Sequence, residues 1–172
     1  MTAIPTLTTE RLTLRPYRDA DFEPFVAMWM DPEVVRFVGG KPFTREESWN
    51  RFMRNTGMWQ HFGFGFFAVE ERATGNFVGE VGFQERKREI EPSMEGTIET
   101  GWGFVPDVHG WGYATEAVTA ALAWADVAHR GKTFSALIDI NHVVSQHVAK
   151  KAGFREWART NYHGEPVVLF ER

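Results

Sequence analysis

Pro106-Asp107-Val108-His109-Gly110-Trp111-Gly112-Tyr113-Ala114-Thr115-Glu116-Ala117 joins two segments of different periodicity. Upstream, Thr97 to Val105 alternates and predicts a strand, which Pro106 ends. Downstream, Tyr113 to Ala128 is Ala-rich, apolar nearly all round, and predicts a well-buried helix. The turn between them holds Gly110 and Gly112 and no Lys. The first turn of a helix carries backbone N–H groups without intrahelical partners, and its dipole favours anions. Glycines let a ligand come close to that backbone. The segment therefore suits a diphosphate cradle, and equally an ordinary strand-to-helix turn that uses glycine for its dihedral angles. A P-loop is excluded, because no Lys lies between Lys87 and Lys132. The dinucleotide fingerprint fits poorly too: Thr115 occupies the third small-residue position, and no strand-end acidic residue follows at the usual distance of about 20 residues.

Outward from this junction the chain reads as one domain over residues 1–172, without repeat, linker or low-complexity tract. Arg11 to Tyr17 alternates Leu12 and Leu14 against Arg11, Thr13 and Arg15, a half-buried strand. Phe22, Phe25, Val26 and Trp29 follow helical spacing behind Asp19 and Asp21, which can cap. Thr44 and Glu47 make a capping box for a second helical unit reaching about Trp59. Phe64 to Glu70 and Phe77 to Glu85 predict strands around Ala73-Thr74-Gly75-Asn76. Thr133 to Ile140 predicts a strand and Val144 to Ala152 a short helix ended by Gly153. Phe154 to Thr160 and Pro166 to Glu171 predict a closing hairpin. That order gives an α/β or α+β fold, a sheet with helices on its faces.

Composition narrows the function. The chain has 172 residues and a net charge of -4, so it carries no basic footprint for nucleic acid. It has no cysteine, which excludes disulfides, thiolate nucleophiles and Cys-based metal sites. No signal core or membrane-length apolar run occurs, so a cytoplasmic protein with no membrane partner is expected. His-Glu-x-x-His is absent, and His142 and His147 stand five apart, poor spacing for one helix face, so no metal is expected. The Trp29, Trp49, Trp59, Phe62, Phe64 and Phe66 group is expected mainly in the core, with any exposed members forming a substrate pocket or a dimer contact.

His109-Gly110-Trp111-Gly112-Tyr113-Ala114-Thr115-Glu116-Ala117 resembles the pyrophosphate-binding loop of the GNAT superfamily of N-acetyltransferases, whose pattern is Gln/Arg-x-x-Gly-x-Gly/Ala. Gly112 and Ala114 match it, and His109 stands in the opening place. The Gly-Tyr-Ala-Thr-Glu-Ala run looks like the ribosomal-protein N-terminal acetyltransferase branch, as do Thr8-Thr9-Glu10-Arg11-Leu12-Thr13-Leu14-Arg15-Pro16 and Ser145-Gln146-His147-Val148-Ala149-Lys150-Lys151-Ala152-Gly153-Phe154. The family places Asn three residues before the helix Ser; here His142 occupies that place and Asn141 lies one earlier. The resemblance implies a mixed, mostly antiparallel sheet of six to seven strands, splayed at its central strands to hold CoA. It also implies acetyl-CoA as cofactor, with contacts from Phe104, Val105, His109, Gly110, Trp111, Gly112, Tyr113, Ala114, Thr115, Asn141 and Ser145. The acceptor it implies is a primary amine, either a protein N-terminus or a small molecule, acted on by a monomer or homodimer.

The residues fit that chemistry. Without a thiol, and without a Gly-x-Ser-x-Gly elbow, direct attack of an amine on a thioester is the simplest acyl transfer. Alternation puts Thr97, Glu99, Gly101 and Gly103 on one strand face, a carboxylate beside two residues with no side chain. That leaves room for a ligand beside Glu99, or the glycines permit a bulge and Glu99 meets solvent. Glu99 also matches the branch's candidate general base. Ser145 is either a helix cap or a donor to the leaving thiolate. Asn141 is either a turn residue or a partner for a pantetheine amide. The Glu85–Glu99 segment, with five acidic and three basic residues, is a solvated loop or an attractor for a cationic amine.

Overall fold

The computed structural model describes residues 3–172. One sheet of eight strands runs through it. In chain order these are β1 (Leu7–Thr8), β2 (Leu12–Arg15), β3 (Phe66–Glu71), β4 (Phe77–Gln84), β5 (Ile98–Phe104), β6 (Phe134–Asp139), β7 (Arg155–Tyr162) and β8 (Glu165–Glu171). Their spatial order is β1-β2-β3-β4-β5-β6-β8-β7. Every neighbouring pair is antiparallel except β5 and β6. The helices are α1 (Phe22–Met30), α2 (Pro32–Val35), α3 (Arg45–Phe62), α4 (Tyr113–Ala128) and α5 (Val143–Lys151). The eighth strand is the two-residue β1, too short to show periodicity in the sequence.

Local chemistry accounts for most boundaries. Thr44 Oγ1 accepts from the Glu47 N–H, and the Glu47 carboxylate accepts from the Thr44 N–H at 2.7 Å, so the capping box starts α3. Gly63, in the left-handed region at φ 73°, ends it at Phe62, one turn beyond the expected Trp59. Ala117, Ala121 and Ala125 recur every four residues on α4, each fully buried, so small side chains bring this helix tight against the sheet. The opposite side of α4 reaches solvent at Val127, so the helix is buried on one face and not all round.

Strand β2 departs from simple alternation. Leu12 and Leu14 are fully buried, but Arg15 is buried as well, at 4% exposure. Its guanidinium donates to both Asp21 oxygens at 2.7 and 2.8 Å and to Glu70 at 2.8 Å. Asp21 therefore does not cap α1 with its side chain; it takes Arg15 and the Arg18 N–H instead. A buried Arg is held by such paired carboxylates, which no local pattern announces.

The two sheet faces differ. Ile98, Phe104, Val81, Phe83, Phe134 and Ala136 join α4 and α5 in the main core. The other face carries α1 and α3 with an aromatic cluster around Phe25, Trp29 and Phe52. Trp29, Trp59, Phe64 and Phe66 are buried, as expected for core aromatics, whereas Trp49 and Phe62 are exposed.

Candidate active site

The central strands part. β5 and β6 pair only at Ile98↔Phe134 and Glu99↔Ser135. Beyond that point β5 continues to Phe104 and β6 to Asp139 without pairing to each other. Gly101, Trp102 and Gly103 consequently lie half-buried in the middle of an eight-stranded sheet. Unpaired backbone at the centre of a sheet is a polar, strand-like edge open to a ligand.

β5 leads through a turn into α4, at one arm of the opening. Gly110 and Gly112 take φ angles of 81° and 82°, so only glycine sits there without strain. The first bond of α4 runs from the Glu116 N–H to the Gly112 carbonyl at 3.1 Å, which leaves the amides of Tyr113, Ala114 and Thr115 without helical partners. No side chain caps them, since the cap residue is Gly112. A Cβ at Gly110 would meet nothing within 4 Å, so the approach is clear. His109 turns back to place Nε2 2.9 Å from the Phe104 carbonyl, and Trp111 is exposed at the turn.

An electrostatic brace fixes this turn. Glu116 accepts from Thr9 Oγ1 at 2.6 Å, from the Arg11 N–H at 2.9 Å and from Arg11 Nε at 2.7 Å. Arg11 also donates to the Trp111 carbonyl at 2.8 Å and lies over the Tyr113 ring. Burial raises the Glu116 pKa, but these bonds outweigh it and hold the carboxyl below its ordinary value. The Thr-Glu-Arg-Leu and Gly-Tyr-Ala-Thr-Glu-Ala stretches are thus two sides of one contact. Sequence reading identified both stretches and missed the bond between them, because about a hundred residues separate the partners.

Glu99 sits where the strands part, 7% exposed. It does not face solvent. Arg88 donates to it through Nε and Nη2, each at 2.6 Å, and Gln84 Nε2 donates at 2.8 Å. Burial works against the Arg88 cation, yet Glu99 and Tyr162 together more than offset it, and the Arg88 pKa is raised. The glycines beside Glu99 make room mainly for aromatic rings of the chain itself. A Cβ at Gly101 would stand 3.0 Å from Phe66 Cζ, and one at Gly103 3.3 Å from Trp29 Cζ2.

On the other arm, β6 ends in Asp139, whose carboxylate accepts the Asn141 N–H at 2.7 Å. The Asn141 side chain is exposed. His142 occupies the cap position of α5, so Ser145 lies inside the first turn and is not the cap. Gln146 ties that turn to the end of β6 through the Asp139 and Ile140 carbonyls, at 3.2 and 2.9 Å. The α2 region reaches both arms: Glu33 lies 3.7 Å from His109, and Phe37 stacks on His142 with centroids 4.4 Å apart. Burial, countered by Asp139, lowers the His142 pKa and favours the neutral ring.

The segment between β4 and β5 is not an acidic patch facing the site. Glu85 pairs with Lys87, Glu99 with Arg88, and Glu89, Glu91 and Glu95 point to solvent. On β4, a fully buried Glu80 is held by Tyr17 and by Asn55 and Arg51 of α3. Burial and this carboxylate push the Tyr17 phenol well above its ordinary pKa, so it stays a donor.

Comparison with known proteins agrees with this geometry. Residues 11–155 match the acetyltransferase (GNAT) domain model. An uncharacterized protein, YkkB, of Bacillus subtilis is 30% identical over 177 residues, covering 100% of this chain and 98% of YkkB. A putative GNAT-family acetyltransferase structure from Bordetella pertussis superimposes with a TM-score of 0.86 at 30% identity, covering 98% of this chain and 99% of that one. The fold is shared more distantly with RimL, a ribosomal L7/L12 alpha-N-protein acetyltransferase solved with coenzyme A, at a TM-score of 0.76 and 15% identity over 98% of this chain and 97% of that one. With a sheet parted at its centre, uncapped amides at one arm and a family match over most of its length, the chain belongs to the GNAT family and is an N-acetyltransferase.

Proposed function

We propose that the protein, as a single 172-residue domain, moves the acetyl group of acetyl-CoA to a primary α-amine, peptidyl or free, in the manner of the ribosomal-protein N-terminal branch. The observation that carries this reading is the parting of β5 and β6 after Glu99↔Ser135, with uncapped α4 amides on one arm. Acetyl-CoA brings the activated thioester. The amides of Tyr113, Ala114 and Thr115 take its pyrophosphate, as they suit an anion at a helix N-terminus. His109 and Trp111 flank the turn, and the β5 edge that β6 leaves unpaired, ending at Phe104 and Val105, suits the amides of a pantetheine arm, with Asn141 opposite.

The chemistry then needs two proton movements. As the amine nitrogen bonds the carbonyl carbon and the carbon–sulfur bond breaks, Glu99 takes the amine proton, directly or through water, and the Ser145 hydroxyl donates to the departing thiolate. Binding both reactants beside one another lowers the barrier by orientation as well. Thiol release from acetyl-CoA in the presence of peptides, amino acids, polyamines and aminoglycosides tests the assignment. Acetylated α-amine should dominate by mass spectrometry when all compete at equal concentration. Predominant aminoglycoside or polyamine acetylation would replace the acceptor, and cofactor binding without any thiol release would replace the enzyme by a CoA-binding protein.

A further inference from the structure

The sheet face under α1 and α3 carries more positive charge than the chain neutralises. Four guanidiniums converge there. Arg51 and Arg54 come from α3, one turn apart, and Arg86 and Arg88 from the segment after β4. Two carboxylates meet them. Arg51 takes Glu80 at 2.9 Å, and Arg88 takes Glu99 at 2.6 Å. Among the described residues neither Arg54 nor Arg86 has an acidic partner.

Arg54 is the informative member. Its Nε is fully buried and bonds nothing in the chain. Burial first, then Arg51 and Arg86, bring its pKa down to about 10, so it is still a cation at neutral pH but an uncompensated one. Arg86, although it reaches solvent, is crowded enough by the chain and by Arg88 that its pKa is also lowered. Arg54 is half-buried beside it, while the nearby acids turn outward or pair elsewhere.

The place matters as much as the charge. Glu80 is in register with Gly103, and Glu99 is the last β5 residue paired to β6, so the two ion pairs bracket the half-buried Gly101–Gly103 stretch. Arg54 is within electrostatic range of both pairs. By alternation Glu80 and Glu99 face the side of the sheet opposite Val81 and Ile98, which belong to the core that holds α4 and α5.

Given acetyl transfer to an α-amine, on which this rests, we propose that the acceptor carries a carboxylate near its amine, and that Arg54 and Arg86 receive it. Guanidinium forks match carboxylate oxygens in pairs, which suits a planar anion in a partly dry site. The same cluster repels polycations, so spermidine and aminoglycosides are disfavoured by charge rather than by shape. The carboxylate comes either from an acidic second residue or from a free amino acid, and both present the same group to the cluster.

Four acceptors separate the sources: alanyl-glutamate amide, alanyl-glutamine amide, alanyl-lysine amide and free alanine. Alanyl-glutamate amide or free alanine, whichever carries its carboxylate at the right distance, should exceed alanyl-glutamine amide at least tenfold in kcat/KM, with alanyl-lysine amide lowest. Arg54→Met should raise KM for the favoured acceptor about tenfold and leave both the alanyl-glutamine amide KM and acetyl-CoA affinity unchanged. Its ligand-free Tm should equal or exceed that of the wild type, since a half-buried cation without an acidic partner is removed. Titration of the favoured acceptor into the CoA-loaded protein by calorimetry gives the same comparison without turnover. Turnover with no preference for a carboxylate, or weakened acetyl-CoA binding in Arg54→Met, overturns the proposal and leaves the enzyme assignment standing. Carboxylate-dependent binding with no turnover has the reverse meaning.

Discussion

A carboxylate cannot keep its full ion pair with Arg88 at the moment it takes a proton from an amine. Glu99, the proposed base, faces that conflict, with side chains exposed only 9% for Glu99 and 12% for Arg88. Two effects of Glu99→Gln therefore overlap. Loss of a general base costs ~10²–10⁴ in rate. Leaving Arg88 buried without its counter-charge costs about 3–5 kcal/mol in stability. The double variant Arg88→Met/Glu99→Gln separates them, because it removes the stranded charge. Its Tm should return most of the way to the wild-type value, while turnover stays as low as in Glu99→Gln. If turnover returns together with Tm, Glu99 holds the parting strands in place and another group takes the proton.

At the scale of elements, the segment before β2 and the start of α4 act as one unit through Glu116. This brace sets the turn whose amides face the proposed pyrophosphate. Arg11→Ala should therefore weaken acetyl-CoA binding, measured by calorimetry, with little change in kcat. The stability it supplies depends on pH in a definite direction. The folded-state carboxyl is held below its ordinary value, so its contribution is present above about pH 4.3 and lost as pH falls through the lower folded value. Glu116→Gln should thus be less stable than the wild type at neutral pH by roughly 1–3 kcal/mol, the range for hydrogen bonds to a charged group. The gap should close in acid, as Tm measured against pH would show. A constant gap down to strongly acidic pH would mean that Glu116 acts by packing and not by charge.

Across the whole molecule, the sheet is loosest in its interior where it parts. β5 and β6 share two register pairs, whereas β4 and β5 share six and β6 and β8 share five. A ligand that bridges the seam ties the two halves of the sheet together. At a hundredfold excess over Kd, such binding adds about 2.7 kcal/mol. For a chain of this size that raises Tm by roughly 5–10 °C. Acetyl-CoA should give this shift, and hydrogen exchange should slow at 100–104, 113–116 and 136–141 rather than uniformly. Gly112→Val forces a branched residue into φ 82° at the turn and should abolish the shift. A full shift in that variant would place the cofactor elsewhere.

Periodicity and turn chemistry are local, and what they govern was legible in the chain alone. The Thr44–Glu47 box, the glycine turn into α4, the seven longer strands and the closing hairpin all follow from side chains a few residues apart. The shared face of Glu99, Gly101 and Gly103 follows from alternation in the same way. What fills that face does not: Phe66 and Trp29 come from elsewhere in the chain and occupy the space that the glycines leave. Arg15 looked like the exposed side of a strand and is buried, because Asp21 and Glu70 meet it from other elements. The charges of the Glu85–Glu99 segment were countable, but their directions were not. Whether an acid points to solvent or to a guanidinium depends on which helix the sheet carries above it. Folding put Arg88 on Glu99, left Arg54 beside them without an acidic partner, and so decided the charge on that side of the sheet.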